Sequence, residues 1–489
     1  MTSFFLILLL VAVAPLVLLL LTKRGRNKVE GRRLPPGPRK LPLIGNLHQL
    51  GDVPQKSLLH LSTKYGPLMF LPLRSVPTLV VSSADAIRDI FQSHDIIFSG
   101  RPELYTAKKM TNGFNDITFA PYGEQWKELR KIAIMELLST KRVQSFQAVR
   151  DEEVGLMLDL IAHSLGPINL SRLTLFLITN IVCRVTFGDK FGNEGNDGMS
   201  RYDAVIHETH ALLGKFNIAD AFPWLGWLNR FNGEDSRIEK NFKDLDMILE
   251  EVIQKHLDPS GPKPQHEHLV DVLLRIQRNT NQAFNISNKQ IKGVLGDMFI
   301  AGTDTSAVTL VWIMSELIRN PLVMRRVQVE VREVAKGLKV EESDLPRLVY
   351  MKAVIKETLS LHPIAQLLVP RETLEECTVG GYRIPCKTRV LVDARLIGKD
   401  PKYWENPNEF QPEFLESSID YRGKHFEFIP FGVGRRGCPG INFAVQVEFA
   451  LANLLFRFDW QLTPDEVFDM DAEFGLSMTK KIPLCLLAT

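Results

Sequence analysis

The stretch FIPFGVGRRGCPGINFA, residues Phe428–Ala444, is the most informative part of this sequence. Three glycines and a pair of arginines precede Cys438, and the largely apolar run Ile441–Phe456 that follows predicts a helix. The positive end of that helix and the neighbouring Arg435 and Arg436 would favour the thiolate form of Cys438. Such a thiolate suits a soft metal ion. The alternative is a cysteine that is merely a small buried hydrophobic residue.

Length and composition allow several architectures but exclude some functions. The chain has 489 residues and a formal net charge of +2, and it lacks a basic stripe interleaved with aromatic residues. We therefore predict no nucleic-acid partner. The few cysteines form no C-x-x-C pair, which argues against a disulfide framework or a zinc site and favours a reducing compartment. They are Cys183, Cys377, Cys386, Cys438 and Cys485.

The N-terminal end predicts a membrane anchor. Phe4–Leu21 carries no polar or charged side chain, and as a helix it would span about 27 Å, close to the hydrocarbon thickness of a bilayer. Basic residues follow this run and none precedes it, so the positive-inside rule places the rest of the chain in the cytoplasm. The alternative is a cleaved secretory signal. We predict an anchor over residues 1–22, a basic flank and proline-rich hinge over 23–40, and a globular domain over 41–489.

The globular part predicts one domain that is mainly α with a minor β part. Short apolar runs with Gly and Pro punctuation predict strands within Tyr65–Ser82, Cys377–Val392 and Leu476–Leu487. Helical periodicity dominates from Ala84 onward. The predicted helices are Ala84–Gln92, Gly123–Leu138, Lys141–Ser164, Ser171–Phe187, Ser236–Leu257, Leu269–Gln277, Ser287–Asn320 and Ile441–Phe456.

The cysteine loop resembles a known family. Phe431, Gly434, Arg436, Cys438 and Gly440 match F-x-x-G-x-R-x-C-x-G, the haem loop of the cytochrome P450 superfamily. This resemblance implies a single large cytochrome P450 fold behind the N-terminal transmembrane helix. It also implies a haem b cofactor that these five residues contact, with the Cys438 thiolate as axial ligand of the iron.

Two further motifs fit the same cofactor. Trp126 and Arg130 share one helical face and match W-x-x-x-R, which in the family holds a haem propionate. Arg371 in Val369–Glu372 is another candidate propionate cation. Without the resemblance, the first pair would be an aromatic–cation pair on an amphipathic helix, and Arg371 would be a surface charge beside a proline turn.

The middle of the longest predicted helix resembles the oxygen-activation segment A-G-x-[DE]-T. Ala301 and Gly302 would contact the cofactor, since glycine lets a flat ligand approach the backbone. Thr305 can also bond back to a helix carbonyl and loosen the helical ladder. The resemblance implies that Thr305 hydrogen-bonds dioxygen or a water and that Asp304 relays protons. The alternative is a helix whose polar residues face solvent or a neighbouring helix.

The chain departs from the family pattern in one network. Glu357 is present where the family has E-x-x-R, but Ser360 occupies the arginine position, and Phe410–Leu415 also lacks the arginine of F-x-P-E-R-F. A buried carboxylate without its cations is costly or becomes protonated. Three side chains are candidates to compensate: Lys356, His362 and Arg395. The alternative hypothesis is a haem loop that is held less tightly.

The hinge, LPLIGNLHQLG, DITFAPYGEQWKELRK and PFGVGRRGCPG resemble the plant microsomal branch that serves specialised metabolism. This implies a single-pass enzyme of the endoplasmic reticulum with a cytoplasmic catalytic domain in contact with membrane lipid. NADPH would supply electrons through NADPH–cytochrome P450 reductase, and one atom of O2 would enter a small lipophilic substrate. Lys127, Lys131 and Arg435 are candidates for the reductase contact.

The expected substrate is a terpenoid, an alkaloid or a phenolic compound. The resemblance places these residues at the substrate: Phe114, Phe119, Leu367, Leu368, Gly475 and Leu476. Two alternatives remain: a P450-type isomerase, dehydratase or ring-rearranging enzyme, and a haem-binding protein whose catalysis is impaired by the missing arginines.

Overall fold

The computed structural model describes residues 33–51, 53–74, 76–190, 201–259, 267–279, 284–415, 419–463 and 468–489. The predicted anchor over residues 1–22 lies outside these ranges. Two described helices, Leu170–Phe187 and Asn288–Arg319, are long and apolar enough to cross a membrane, but most of each is buried inside the protein. Burial of this kind is typical of the core helices of soluble domains.

The described part of the chain is mainly helical, as predicted. Its helices are α1 Pro54–Tyr65, α2 Ala84–Ser93, α3 Tyr105–Met110, α4 Glu124–Ile132, α5 Thr140–Ser145, α6 Gln147–Ala162, α7 Leu170–Phe187, α8 Arg201–Gly214, α9 Ile218–Ala221, α10 Glu234–Leu257, α11 Leu269–Arg278, α12 Asn288–Arg319, α13 Pro321–Val334, α14 Val349–Leu361, α15 Ala394–Ile397 and α16 Val445–Arg457.

Three predicted helices are interrupted or shortened. The prediction over Gly123–Leu138 becomes α4 followed by a π-helical turn, Ala133–Leu137. The prediction over Lys141–Ser164 becomes α5 and α6, which Phe146 separates. The helix after Cys438 begins with a 3-10 turn, Ile441–Ala444, before α16.

The strands form small sheets, which confirms the minor β part. They are β1 Leu68–Phe70, β2 Thr78–Val81, β3 Ile168–Asn169, β4 Arg371–Glu372, β5 Cys377–Val379, β6 Tyr382–Ile384, β7 Arg389–Val392, β8 Trp460–Gln461, β9 Ala472–Phe474, β10 Met478–Lys480 and β11 Cys485–Ala488. The largest sheet among them has the order β1-β2-β7-β4. Strands β2 and β7 pair in parallel, and the outer pairs are antiparallel.

Helix α12 forms the centre of the core. A capping box fixes its start, because Ser287 accepts from the backbone N–H of Gln290 while the Gln290 side chain accepts from the N–H of Ser287. Pro321 prevents continuation beyond its end. The helix packs along α7 and against α10, α14 and α16. Since Phe299 and Trp312 are fully buried, α12 is held rigidly from several sides.

Candidate active site

The Cys438 loop is a tight turn that tolerates little substitution. The backbone N–H of Cys438 donates to the carbonyl of Phe431 at 2.8 Å. Gly434 has a φ of +68°, and a Cβ placed there would lie 2.3 Å from Asp95 Oδ1. The left-handed conformation favours glycine at this position, and the Asp95 side chain would have to shift to admit a Cβ.

The environment of the Cys438 thiol differs from the predicted one. The Cys438 side chain is reached by solvent, but many protein atoms surround its sulfur. They displace water that would solvate a thiolate, and this desolvation raises the pKa of the thiol. The backbone N–H of Gly440, 3.3 Å from the sulfur, and the charge of Arg130 act in the opposite direction. Without a bound metal ion, the thiol is therefore favoured over the thiolate.

The predicted influence of Arg435 and Arg436 on this thiol is wrong. Arg435 lies beside Asp95, with 3.5 Å between Nε and Oδ2. Arg436 donates to backbone carbonyls, including that of Ser99 at 2.8 Å, and it is not among the charges that act on the Cys438 thiol. Because α16 begins only at Val445, Cys438 also lies outside its first turn.

Four arginines converge next to this loop: Arg101, Arg130, Arg371 and Arg436. Each donates to backbone carbonyls. Arg130 Nη2 lies 2.5 Å from the carbonyl oxygen of Gly437, and Arg371 Nη2 lies 2.5 Å from that of Val433. Arg101 donates to three carbonyls, those of Thr118, Val369 and Pro370. Arg436 donates to those of Ser99, Ile117 and Ala120.

This arginine cluster carries more positive charge than its surroundings neutralise. Burial and then the neighbouring arginines lower the pKa of Arg101 well below its usual value and that of Arg436 to about 9. Burial is the main cause that lowers the pKa of Arg371 to about 10. Asp116 acts on Arg101 and Arg436, but its own pKa is raised well above normal by burial and by Asp297. An anionic ligand would relieve this repulsion.

Trp126 completes the cluster from α4. Its Nε1–H donates to the carbonyl of Ile117 at 2.9 Å. The Arg436 guanidinium lies 3.9 Å from the indole ring centroid, and that of Arg130 lies 5.6 Å away. Both cations thus stack on one buried aromatic ring, a stabilising arrangement.

One face of α12 is open although the helix crosses the core. Ala301 is exposed and Thr305 is half-buried, and the two residues share a face. The hydroxyl of Thr305 donates to the carbonyl of Ala301 at 2.7 Å, which confirms the predicted back-bond. Gly302 points elsewhere, because a Cβ at this residue would lie 3.5 Å from Val182 on α7. Any ligand beside this stretch would therefore meet Ala301 and Thr305 before Gly302.

Asp304 has an incompletely satisfied carboxylate. Its Oδ2 is buried and has no hydrogen-bond partner among the described residues, and His210 Nε2 on α8 lies 3.6 Å away. The Nδ1 of His210 lies 3.0 Å from the carbonyl oxygen of Ile206, which can only accept, so Nδ1 carries a hydrogen. His210 Nε2 is therefore the ring nitrogen left to interact with Asp304.

Helix α16 ties the Cys438 loop to this part of α12. Gln446 Nε2 donates to Ser306 Oγ at 2.8 Å and to the carbonyl of Gly302 at 3.4 Å. The residues predicted at the cofactor from two distant sequence segments are thus held in one region.

A largely apolar cavity of about 320 Å³ adjoins the open face of α12. Residues that line it include Phe119, Leu213, Leu249, Ile300, Ala301, Thr305, Leu367, Leu368, Gly475 and Leu476. Phe114 is the exception among the predicted substrate contacts. It packs instead with Ala107, Phe119, Ala120 and Trp126.

Comparison with known proteins identifies the family. The model of the family described as Cytochrome P450 matches residues 35–486. The chain belongs to the cytochrome P450 family. The named hydroxylase and oxidase relatives support the conclusion that this P450 is a monooxygenase.

Similar relatives include plant proteins. Strychnine-11-hydroxylase from Strychnos nux-vomica is 53% identical over 480 residues, which cover 97% of this chain and 94% of that protein. Cytochrome P450 71A9 from Glycine max is 56% identical over 480 residues, which cover 96% of each chain. Among solved structures, a zebra fish cytochrome P450 with progesterone superposes with a TM-score of 0.76 at 26% identity, over 90% of this chain and 100% of that chain.

The residues of this P450 fit the haem that its family binds. The arginine cluster supplies charge that two propionates would neutralise, the Ala301–Thr305 face is open, and the Cys438 side chain is exposed. Arg101 is the member that the sequence analysis missed. Its signal in the sequence was slight: an arginine between Gly100 and Pro102, without a recognised motif.

The network around Glu357 differs from the predicted compensation. His362 Nε2 lies 2.6 Å from Glu316 Oε1, and Arg395 lies 3.8 Å from Asp393 Oδ2, so neither is paired with Glu357. For Lys356, Asp420 is the opposing charge. Burial raises the pKa of Glu357, and the cation that opposes this rise is Lys399, a lysine that the sequence analysis missed.

Glu357 therefore remains a buried carboxyl group without an ion pair in the described part of the chain. One of its oxygens accepts from the backbone N–H of Gln411 at 3.2 Å. Burial is the main reason why its pKa is raised to about 7. A cavity of about 220 Å³ adjoins Glu357 and Ser360 where the absent arginine would lie. The predicted departure from the family network is thus a physical gap.

Proposed function

We propose that this cytochrome P450 inserts one oxygen atom of O2 into a small lipophilic plant specialised metabolite, with Cys438 as the iron ligand. The observation that carries the proposal is the convergence of the Cys438 loop, the uncompensated arginine cluster and the open Ala301–Thr305 face. When bound, the haem supplies the activation of O2, and the thiolate supplies electron density that favours O–O cleavage. The protein residues bind the cofactor, exclude water and control protons.

The carbon-monoxide difference spectrum of the reduced protein tests the ligand. The parent should give the strongly red-shifted Soret band of a thiolate-bound haem, and Cys438→Ser should lose it while retaining its fold. If folded, haem-loaded parent protein lacks this band, the assignment of Cys438 is overturned. In the same measurement, a weak band from folded protein would indicate a haem-binding protein that is poorly loaded.

The arginine cluster would hold the two haem propionates. Arg130 and Arg371 also donate to the carbonyls of Gly437 and Val433, so they would connect the cofactor to the Cys438 loop. Phe431, Gly434 and Gly440 would shape that loop, and Trp126 would support Arg130 and Arg436. Gly302 would contact the cofactor through its backbone only, since it follows Ala301 in α12.

Asp304 and Thr305 would deliver protons to the reaction. The unsatisfied Oδ2 of Asp304 can hold a proton, and Thr305, the next residue, carries a hydroxyl and lines the cavity. Asp304→Asn should lower product formed per NADPH by about tenfold or more and raise peroxide release, because positioned proton donors contribute at least this much. An unchanged ratio of product to NADPH would contradict this role.

The substrate class that we propose to test first is a polycyclic alkaloid. This rests on the 53% identity to a protein named strychnine-11-hydroxylase and the 43% identity to norfluorocurarine oxidase from Strychnos sp. The apolar cavity suits such a rigid ring system, and it would suit a terpenoid or a phenolic compound as well. Phe119, Leu367 and Leu368 would contact the substrate, together with the backbone at Gly475 and Leu476. A substrate-induced spectral shift would rank the three classes.

Labelled O2 separates oxygen insertion from a diverted reaction. A monooxygenase with co-expressed reductase should consume NADPH and place one labelled atom in its product. A product without label would instead favour an isomerase, dehydratase or ring-rearranging enzyme.

We also propose that residues 1–22 anchor the enzyme in the endoplasmic reticulum membrane, with residues 41–489 in the cytoplasm. NADPH–cytochrome P450 reductase would bind next to the Cys438 loop, where Lys127, Lys131 and Arg435 are exposed. Each of these cations already lies near an acidic residue, so their contribution should be electrostatic steering that weakens as salt rises.

A further inference from the structure

Two histidines and an aspartate, side chains of the kind that can bind a metal ion, lie together outside the residues that line the cavity and outside the Cys438 loop. His256 is in the last turn of α10, and His268 and Asp271 are at the start of α11. One potential ligand atom from each residue lies within 4.8 Å of the other two. All three residues are half-buried, so their positions are restrained by packing while an ion from solvent can still reach them.

The distances are close to those of a metal site. His268 Nδ1 lies 3.1 Å from Asp271 Oδ2, and His256 Nε2 lies 3.9 Å from Asp271 Oδ1. In a tetrahedral zinc site with bonds of about 2.0–2.1 Å, neighbouring ligand atoms are about 3.3 Å apart. Since one ligand atom from each residue lies within 4.8 Å of the other two, their separations would have to close by up to about 1.5 Å.

A backbone hydrogen bond prepares His256 for this role. Its Nδ1 lies 2.9 Å from the carbonyl oxygen of Val252, so the neutral ring carries its hydrogen on Nδ1. Nε2 then offers a lone pair on the side of Asp271. Histidine ligands of metals usually show this arrangement, because a bond at the second nitrogen fixes the tautomer and the ring orientation.

Ordinary helix capping explains only part of the cluster. Asp271 Oδ2 accepts from the backbone N–H of His268 at 2.9 Å, as in a capping box at the start of α11, and it is also within hydrogen-bond distance of His268 Nδ1, a contact that a bound ion would replace. Capping does not require His256, which comes from another helix. His268 is also confined by Gly188 after α7, because a Cβ at Gly188 would lie 2.7 Å from His268 Nδ1. Three helix ends thus converge on the two imidazoles and the carboxylate.

We propose that His256, His268 and Asp271 bind a divalent transition-metal ion, with Zn²⁺ as the best match. Two imidazoles and one carboxylate are a donor set that zinc accepts, and water would complete its coordination. The ion would join the end of α10 to the start of α11 and stabilise the fold. It would take no part in the oxidation.

The test uses haem-loaded full-length protein without a histidine tag, because a tag would bind zinc itself. After treatment with EDTA, the protein is dialysed against buffered Zn²⁺, and zinc and iron are measured together. The haem iron then serves as an internal count of protein. The parent should bind one zinc per iron, and its melting temperature should rise with free Zn²⁺.

Three variants make the test specific. His256→Ala removes one ligand and leaves the α11 cap, and its zinc affinity should fall at least tenfold, since even loss of an outer-shell partner costs about 10–100-fold. Asp271→Asn keeps an oxygen for the cap and should also lose affinity. His163→Ala is the matched control, because His163 Nδ1 likewise lies 2.7 Å from a backbone carbonyl, that of Asp159, but on exposed surface.

Normal carbon-monoxide spectra would show that the variants are folded. Stoichiometric zinc in the parent and in His163→Ala, with loss in the other two variants, would support the site. The proposal is overturned if the parent binds no zinc, or if His256→Ala and Asp271→Asn bind it as tightly as the parent.

Discussion

Replacing Glu357 by glutamine should stabilise this cytochrome P450 above neutral pH. Glu357 is only 7% exposed and has no ion-pair partner in the described ranges, although the protein contains a cavity beside it. Its pKa is raised from 4.5 to about 7, chiefly by burial, with Glu316 and Glu413 adding to the effect. The Gln411 backbone bond and Lys399 oppose the rise.

The sign and size of the effect follow from proton linkage. A carboxyl group whose pKa is raised on folding contributes its full stability below the unfolded pKa, and this contribution is lost as the pH rises through the folded pKa. For Glu357 the loss therefore occurs between about pH 4.5 and 7. At 1.36 kcal/mol per pH unit, a rise from 4.5 to about 7 corresponds to about 3 kcal/mol at pH 8. For a chain of this length, that is about 3 °C in melting temperature.

Thermal unfolding of the haem-loaded protein between pH 5 and 8 measures this difference. Glu357→Gln should melt about 3 °C higher than the parent at pH 8, and the two should converge toward pH 5. Glu409→Gln is the control, because Glu409 lines the same cavity but is exposed, and its removal should leave the pH dependence unchanged. If Glu357→Gln melts at or below the parent at pH 8, Glu357 has a stabilising partner and the reasoning fails.

Three further substitutions test other parts of the structure. Ser360→Arg places a cation in the cavity beside Glu357, and it should reduce the pH dependence and improve haem retention; equality with the parent in both would show that the missing arginine is no weakness. Arg101→Lys keeps the charge but loses the planar guanidinium that donates to three carbonyls. The free energy of unfolding should fall by about 2 kcal/mol or more, and haem should transfer to apomyoglobin faster. Unchanged values of both would refute this. Gly214→Ala would bring a Cβ within 2.3 Å of the backbone nitrogen of Leu476, in the loop that lines the cavity. The spectral shift that substrate induces should then become smaller, while the spectrum of the substrate-free haem protein stays the same. The matched control is Gly155→Ala in α6, where a Cβ would meet open space, and this variant should bind substrate normally. Equal spectral shifts in both variants would contradict the argument.

Features that depend on local chemistry were predicted well from the sequence. The bounds of α7, α10, α11 and α12 differ from the predicted ones by a few residues at most, because apolar periodicity and end signals decide them. The back-bond of Thr305 to a helix carbonyl was predicted from its residue type within a helix, and the structure gives Ala301 as the acceptor. Fine interruptions, such as the π-helical turn Ala133–Leu137, leave no comparable signal.

Features that depend on distant partners were predicted poorly. Arg101 donates to carbonyls that are 268 and 269 residues away in the sequence, so nothing near it indicates its role. Arg435 was predicted to act on Cys438, its neighbour in the chain. It lies beside Asp95 instead, because an exposed guanidinium takes the carboxylate that the fold brings closest. Phe114 was misplaced for a similar reason, since packing against Trp126 draws it away from the cavity.

The missing arginines near Glu357 raised the question of what holds the Cys438 loop in place. Two arginines outside that network hold it, because Arg371 and Arg130 donate to the carbonyls of Val433 and Gly437. The same two cations would bind the haem propionates, so the order of the loop and the retention of the cofactor should depend on each other. Removal of haem would leave these charges repelling one another, and the loop should then loosen before the α12 core, which is anchored independently by its buried apolar residues. Hydrogen exchange of the amides at Gly437 and Cys438, compared with those of α12 with and without haem, measures this order, and equal protection of the loop in both forms would refute it.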